Sequence, residues 1–176
     1  STKNTCLNST EPEHDSGASG WSQGMIGVPT SSNITFTAGA TNNNSICIDD
    51  ENYIAYCFAE KTGYSKFGSY VSNGVSGNGT FTYLGFKPSF VIHKRVDSSG
   101  DWRSWNNKAD AFNQNDKSIF PNTNASEYDT TNVGVDFLSN GIKWRQTDTT
   151  NNNPSGGTFI YMAFGQSLVG SNNVPA

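Results

Sequence analysis

Residues 159–166 read FIYMAFGQ and residues 53–60 read YIAYCFAE, two apolar and aromatic runs of equal length that both close on Phe, a small residue and an amide or acid. The similarity extends upstream, because residues 34–44 align without gaps with residues 142–152. Each copy consists of a hairpin strand, an Asn-rich loop and an apolar strand. We interpret the two runs as equivalent core strands of two related β units, whose aromatic side chains pack against each other and bind no cofactor.

The two copies differ in what precedes them. Residues 79–132 lead into the second copy, whereas only residues 1–33 precede the first, and nothing there matches LGFKPSFVI at residues 84–92. The first unit is therefore expected to lack strands and to expose a sheet edge, which another chain can pair with. The predicted divisions are an N-terminal arm or connecting segment at 1–30, a partial first β unit at 31–75 and a complete second β unit at 76–176.

The composition favours short strands joined by polar turns. Gly, Asn, Ser and Thr are abundant and aromatic residues reach 12%, while short alternating or apolar segments recur and helical periodicity is almost absent. The sequence predicts an all-β protein, an antiparallel β-sandwich or jelly-roll-like fold built from one complete and one partial unit. The predicted strands lie near 25–28, 33–38, 46–49, 52–60, 66–71, 79–86, 88–96, 101–105, 133–138, 141–146 and 157–165.

Turn residues predict how several of these strands are joined. The pair Asn140-Gly141 can adopt positive φ at both central positions of a type I′ hairpin turn. The run Ser98-Ser99-Gly100-Asp101 predicts a second turn. Residues 106–132 are long and polar, and a loop of this size is commonly either functional or draped over a sheet.

The charge pattern argues against two classes of partner. Charged residues make up 15% of the chain and the net charge is −4, so no surface is prepared for a phosphate backbone. No window approaches 18 consecutive apolar residues. We therefore expect neither nucleic-acid binding nor membrane insertion.

The cysteines and acidic residues form no recognised metal site. Cys57 lies in an apolar run and is predicted to be a small core residue, while Cys6 and Cys47 pair only if the setting is oxidising. The acidic cluster Asp49-Asp50-Glu51 has oxygen ligands suited to Ca²⁺, and the alternative is a solvated turn. The favoured expectation is that the protein binds no metal and uses no cofactor.

The titratable residues give little support to catalysis. His14 lies in the polar N-terminal region, and His93 lies in an alternating strand where a half-exposed sheet position beside Arg95 is expected. No nucleophile elbow, HExxH, P-loop or paired-Cys motif occurs. The sequence therefore predicts a protein that is not an enzyme and has no catalytic residues.

Carbohydrate recognition is a better functional alternative. The run DWRSWNN at residues 101–107 places two Trp, an Arg and two Asn within seven positions, and exposed aromatic rings stack on sugars while Arg and Asn bind hydroxyls. The alternative is packing and turn formation, because one Trp is expected in the core whichever way the strand faces. The candidate glycan-contacting residues are Trp102, Arg103, Trp105, Asn106 and Asn107.

Several stretches together resemble a known module. They are AEKTGYSKFG at residues 59–68, GFKP at 85–88 followed by VIHKR at 91–95, and SGGTFIYMAF at 155–164. Residues 30–176 are similar to a β-rich module found at the C-terminal ends of tail-fibre and related virion proteins of tailed phages, especially marine ones. Members often carry two half-similar units, whereas residues 1–29 here depart from that pattern.

The resemblance implies a structural or receptor-contacting role on the surface of a phage particle and brings no catalytic residues. We therefore expect a tail-fibre or similar appendage protein whose partners are other copies of itself, other virion proteins and host-surface glycans. Two alternatives stay open: a lectin-like carbohydrate-binding module, and an extracellular subunit of a cellular filament or adhesin.

Overall fold

The computed structural model describes residues 3–15, 25–26, 30, 32–33, 36–37, 52–146, 148 and 152–166. The described residues form antiparallel strands and one short 3₁₀ turn, with no α-helix among them. No helix in these ranges is long and apolar enough to cross a membrane. The strands are β1 (Lys3–Asn4), β2 (His14–Asp15), β3 (Met25–Ile26), β4 (Phe36–Thr37), β5 (Ser65–Val71), β6 (Phe81–Tyr83), β7 (Pro88–Arg95), β8 (Arg103–Asn106), β9 (Lys117–Ser118), β10 (Tyr128–Asp129), β11 (Val135–Leu138), β12 (Gly141–Trp144) and β13 (Thr158–Gly165).

The chain divides into two compact units, one of residues 1–6 and 13–58 and the other of residues 7–12 and 59–176. In the described part of the first unit, β1 pairs with β2 and β3 pairs with β4. Strands β3 and β4 lie inside two predicted strands, whereas β1 and β2 were not predicted because the first twenty residues are polar and have no apolar alternation. The predicted strand 46–49 lies outside the described residues.

The second unit contains a four-stranded sheet in the order β5-β13-β7-β8. Strand β13 is paired on both sides, with β5 and with β7, and its side chains alternate between buried and half-buried positions. This alternation is what a strand with one face toward the core requires. The prediction of a core strand at residues 157–165 is therefore confirmed.

A three-stranded sheet in the order β11-β12-β6 forms the opposite layer. The predicted hairpin is present, but its turn is displaced by one residue, because Leu138 pairs with Gly141 and leaves Ser139 and Asn140 as the loop. Gly141 has no positive φ, so the predicted role of this glycine was wrong. A Cβ on Gly141 would lie 2.2 Å from the Thr82 carbonyl oxygen, which shows that glycine is needed for the close approach of β6.

Aromatic rings from the two sheets meet in one core. The ring of Phe159 on β13 stacks on Tyr70 of β5 with centroids 5.1 Å apart, and Tyr70 stacks on Trp144 of β12 at 4.6 Å. Trp144 is anchored in turn by a hydrogen bond from its Nε1 to Thr82 Oγ1, at 2.9 Å. Burying each such ring contributes about 1.5–3 kcal/mol. The fold is an all-β antiparallel sandwich with an aromatic core, as the sequence predicted.

The segment 52–60 departs from the prediction. It forms no strand, and its side chains are exposed, with Ile54 at 81% and Tyr56 at 80% exposure. The interpretation of YIAYCFAE as a core strand was therefore wrong, and so was the placing of Cys57 in the core.

The four-stranded sheet combines strands from both predicted units. Strand β5 lies in the sheet of β13, although the prediction assigned residues 65–71 to the partial unit at 31–75. The proposal of two related units stays a prediction, since most of residues 31–50 lie outside the described ranges.

The polar loop at residues 106–132 lies over the edge of the four-stranded sheet. Within it, β9 and β10 pair with each other. Ser104 of the edge strand β8 and Ile119 exchange two backbone hydrogen bonds of 2.9 and 3.0 Å. The loop thus covers one sheet edge, and it supplies walls to the cavities described next.

Candidate functional site

A cavity of about 420 Å³ lies beside the turn that joins β7 to β8. We call it the Arg103 cavity. Its walls come from this turn, from β10, from the 3₁₀ turn and from the segment after β12, and its volume is in the range of small-molecule sites. It is lined by His93, Arg95, Ser99, Gly100, Asp101, Arg103, Tyr128, Asn132, Val133, Asp148, Asn152 and Phe159.

Strand pairing places Arg103 at this cavity. Arg103 lies opposite His93 in the β7–β8 register, and Trp105 lies opposite Val91. Because side chains alternate along a strand, Arg103 and Trp105 share the face that looks toward the sandwich interior. The arginine therefore lies at the border between the aromatic core and the cavity.

Three aromatic rings surround the Arg103 guanidinium. Its central carbon lies 4.6 Å from the ring centre of Phe120 and 5.5 Å from that of Tyr128. The Trp105 ring lies at 6.0 Å. Each such cation–π contact contributes roughly 0.5–2 kcal/mol, more when the cation is desolvated. The rings hold the guanidinium in place without using its N–H donors.

The polar contacts of Arg103 are unusual for a side chain that is only 8% exposed. Its Nη1 is buried and has no hydrogen-bond partner, and none of the ion pairs among the described residues involves it. Burial lowers the pKa of Arg103, while the charges of Tyr128, Asp101 and Asp148 act in the opposite direction. Since arginine stays protonated in proteins, Arg103 is a buried cation balanced only at longer range.

His93 forms part of the cavity wall and is buried, so the expected half-exposed position was wrong. Its Nδ1 is 2.9 Å from the Tyr70 hydroxyl, and its ring stacks on Trp144 at 4.8 Å. Burial lowers the pKa of His93 well below its ordinary value, and the neighbouring charges of Arg103 and Lys94 act in the same direction. The imidazole is therefore neutral at pH 7 and offers hydrogen bonding rather than charge.

Two carboxylates lie on the cavity wall. Asp101 Oδ1 accepts a hydrogen bond from Asn122 Nδ2 at 2.9 Å, and Asp148 Oδ2 accepts one from Asn152 Nδ2 at 2.9 Å. A carboxylate has about four acceptor positions, so the amide contact leaves Asp101 able to accept from a further donor. The cavity thus combines a cationic donor, anionic acceptors and aromatic walls, an arrangement suited to binding a polar molecule.

The five predicted glycan-contacting residues do not form a single patch. Trp102 and Trp105 are buried, with exposures of 6% and 1%, so a sugar ring has no open face of either indole to stack on. Arg103 lies in the cavity described above. Asn106 Oδ1 accepts from the backbone N–H groups of Lys108 and Ala109, both at 2.9 Å, and thus stabilises a turn.

Asn107 lines a second cavity of about 450 Å³ on another part of the unit, which we call the Phe112 cavity. Phe112 is one of its walls and is largely exposed, so this ring, rather than either tryptophan, is available for stacking. Lys87, Lys108 and Asp110 add charged groups to the rim.

Sequence reasoning found Arg103 but missed its surroundings. Tyr128 and Asn132 come from the end of the long loop and Asp148 from the segment after β12, and only the folded chain brings them to one cavity with Arg103. The length and polarity of residues 106–132 were the only signal that a binding wall lay there. The described part of the chain contains no cluster of three His, Cys, Asp or Glu side chains that could hold a metal ion, and the acidic cluster at 49–51 lies outside it.

Residues 53–58 form a second exposed feature, which we call the apolar segment. Tyr53, Ile54, Tyr56 and Phe58 all expose more than half of their surface to solvent. Such closely spaced exposure of large apolar side chains is typical of interaction surfaces.

Comparison with known proteins places the chain in a family. No curated protein and no solved structure shows significant similarity to it. A family model described as a domain of unknown function, DUF7483, matches residues 1–167. The chain therefore belongs to the DUF7483 family.

Proposed function

We propose that this chain is a non-enzymatic virion structural protein, part of a phage tail fibre or similar appendage, that assembles with neighbouring copies and contacts the host surface. Its support in the sequence is the resemblance of residues 59–68, 85–95 and 155–164 to a module of tail-fibre proteins. A rigid β-sandwich with polar loops on its surface suits a part that bears load and presents contacts.

The exposure of the apolar segment supports the proposal that the chain assembles with neighbouring copies. Soluble monomers rarely leave closely spaced large apolar side chains in water, and burying an exposed Ile or Tyr gains about 1.5–3 kcal/mol each. We take the occupant to be a second copy of the chain, because identical subunits are the commonest partners in protein assemblies.

A lectin-like carbohydrate-binding function is the second candidate. It is favoured by the Arg103 cavity, where donors, acceptors and aromatic rings line one volume. The two functions are compatible, since a tail fibre that contacts a host surface needs a binding site.

The assembly component is tested by sedimentation velocity on the chain over a range of concentrations. Ile54→Ser combined with Tyr56→Ser is expected to weaken self-association by at least about tenfold, because two exposed apolar side chains are removed. Phe112→Ser is the matched control, since Phe112 is as exposed as Ile54 but lies outside the segment. A wild-type chain that stays monomeric at all concentrations, or equal weakening by the control, would contradict assembly through this segment.

The location is tested by electron microscopy of the native source with gold-labelled antibodies against the chain. Labelling of phage tail fibres supports the proposal. Labelling of cell-attached filaments favours the adhesin alternative, and a chain found only as a free protein argues against both.

A further inference from the structure

The polar groups that line the Arg103 cavity include a buried cationic donor without a hydrogen-bond partner. The guanidinium of Arg103 is surrounded by rings, its Nη1 is buried without a hydrogen-bond partner, and no carboxylate lies within ion-pair distance of it in the described part of the chain. Leaving a buried charged donor unsatisfied costs about 1–3 kcal/mol or more. A group held in this way at a cavity wall is organised for an acceptor that arrives with a ligand.

The chemistry of that acceptor follows from the charge of Arg103. A planar guanidinium binds carboxylate and sulfate oxygens through parallel N–H donors, and these charge-assisted hydrogen bonds are about twice as strong as neutral ones. Phe120, Tyr128 and Trp105 surround the cation without neutralising it. An anionic group is therefore the best match for Arg103.

The other residues that line the cavity require a ligand that carries neutral polar groups as well as an anionic group. Asp101 and Asp148 line the same volume and would repel a small, wholly negative ion. Carboxylates can accept hydrogen bonds from hydroxyl groups, and Ser99, Asn132 and the neutral His93 add further polar side chains to the lining. The aromatic wall formed by Tyr128 matches the apolar face of a sugar ring.

We propose that the Arg103 cavity is a binding site for an acidic sugar residue, whose carboxylate or sulfate group contacts Arg103 and whose hydroxyls contact Asp101 and Asp148. The sugar component rests on the carbohydrate-binding candidate function. It is independent of assembly through the apolar segment, which the sedimentation experiment tests separately. Arg103 is the residue that selects a charged sugar over a neutral one.

The test is isothermal titration of the chain with three probes of similar size. Trigalacturonate carries carboxylates, its methyl ester is the neutral counterpart, and a sulfated galactose oligosaccharide carries sulfates. Wild-type protein is expected to bind one of the two acidic probes about 10–100-fold more tightly than the methyl ester, the range that a charge-assisted hydrogen bond contributes. The acidic probe that binds identifies the anionic group.

Variants assign the effect to Arg103. Arg103→Met keeps an unbranched apolar stem and removes all donors, so the preference for the acidic probe is expected to disappear. Arg145→Met is the matched control, because Arg145 pairs with Asp136 at 2.6 Å and does not line the cavity. Arg103→Lys keeps the charge but loses the fork geometry, and an intermediate affinity is expected. Thermal melts by circular dichroism check that each variant is folded.

Four results would overturn the proposal. The first two are equal binding of the acidic probe and its methyl ester, and equal loss in Arg103→Met and Arg145→Met. The third is binding of acetate, titrated in the same way as a fourth probe, as tight as that of the acidic sugar. The fourth is absence of binding to all three sugar probes. The comparison of probes on wild-type protein needs no variant, so it decides the matter even if Arg103→Met does not fold.

Discussion

The run at residues 159–166, most of which lies in β13, and the run at residues 53–60 share a sequence pattern but not a structural position. Strand β13 lies between β5 and β7, with Phe159 and Tyr161 in the core. The segment forms no strand and exposes Ile54 and Tyr56. Two runs of nearly equal apolar content thus lie at opposite extremes of burial.

A strand in this fold is specified by its neighbours as much as by its own residues. Both edges of β13 are paired, and Tyr70 of β5 and His93 of β7 lie against Phe159 on either side, each at 5.1 Å between ring centroids. An apolar run without partner strands remains a surface feature.

Truncating one aromatic residue in each of the two runs is expected to change stability by very different amounts. Phe159→Ala removes a ring from the packed core and is expected to lower the free energy of unfolding by about 3–5 kcal/mol. Tyr56→Ala removes an exposed ring and is expected to change it by less than about 0.5 kcal/mol. Chemical denaturation of both variants at low protein concentration measures the difference.

The contrast would fail if Tyr56→Ala cost as much as Phe159→Ala under conditions in which the chain is monomeric. That result would mean that the apolar segment is packed within its own chain. It would remove the basis for the assembly proposal as well.

Sequence patterns predicted the sheet strands well and the connections poorly. Alternation and turn residues located β5, β7, β8, β11, β12 and β13, because each of these strands packs one face in the core. The same criterion failed at residues 52–60, since apolar content does not reveal whether a partner strand exists. The turn residues also predicted the hairpin turn one residue too late, because Gly141 is required for the close approach of β6 and not for the turn.

The sequence predicted some of the residue types of the candidate site but not how they are arranged. The run DWRSWNN contains Arg103, which lies in the cavity, but its two tryptophans, which were predicted to contact a glycan, are core residues. The wall contributed by Tyr128 depends on how the long loop folds back, and the wall contributed by Asp148 depends on the path of the chain after β12. No local pattern encodes either contact.

Residues 7–12 form a polar segment that belongs to the same unit as residues 59–176, although it has little apolar content. The carbonyl oxygen of Thr10 accepts from Gly100 N at 2.7 Å and from Lys94 Nζ at 3.1 Å. Lys94 is fully buried and also donates to the Gly100 carbonyl at 2.8 Å. Specific hydrogen bonds therefore hold residues 7–12 against β7 and the turn after it. The apolar content of residues 53–60, by contrast, does not bury that segment.

Replacing Lys94 by Met is expected to lower the free energy of unfolding by about 2–3 kcal/mol, since charged hydrogen bonds to buried carbonyls are lost. Proteolysis within residues 7–12 is expected to become faster in the same variant. Lys143→Met, at a half-buried position on β12, is the control and is expected to change stability by less than about 0.5 kcal/mol. If Lys94→Met left both the stability and the proteolysis rate unchanged, hydrogen bonding would not be what holds the segment.

The smallest expected effect concerns the buried pair that flanks β13. His93 has a lowered pKa, because burial and the charges of Arg103 and Lys94 disfavour its protonation, and burial raises the pKa of the Tyr70 hydroxyl to which it is bonded. The unfolded chain therefore binds a proton at His93 more readily than the folded chain does. Stability contributed by neutral His93 is complete above the ordinary pKa of 6.5 and declines as the pH falls below it, by at most about 1.4 kcal/mol per pH unit.

The double variant His93→Phe with Tyr70→Phe replaces both polar groups by rings of similar shape and removes this titration. At pH 7.5 its free energy of unfolding is expected to lie within about 1.5 kcal/mol of the wild type, as for other volume-conserving core substitutions. Between pH 7 and pH 5.5 the wild type is expected to lose stability faster than the double variant, as urea denaturation at each pH would measure. Parallel pH profiles would show that His93 is protonated in the folded state or is not buried against β13, and the packing contrast between the two runs would then rest on Phe159 alone.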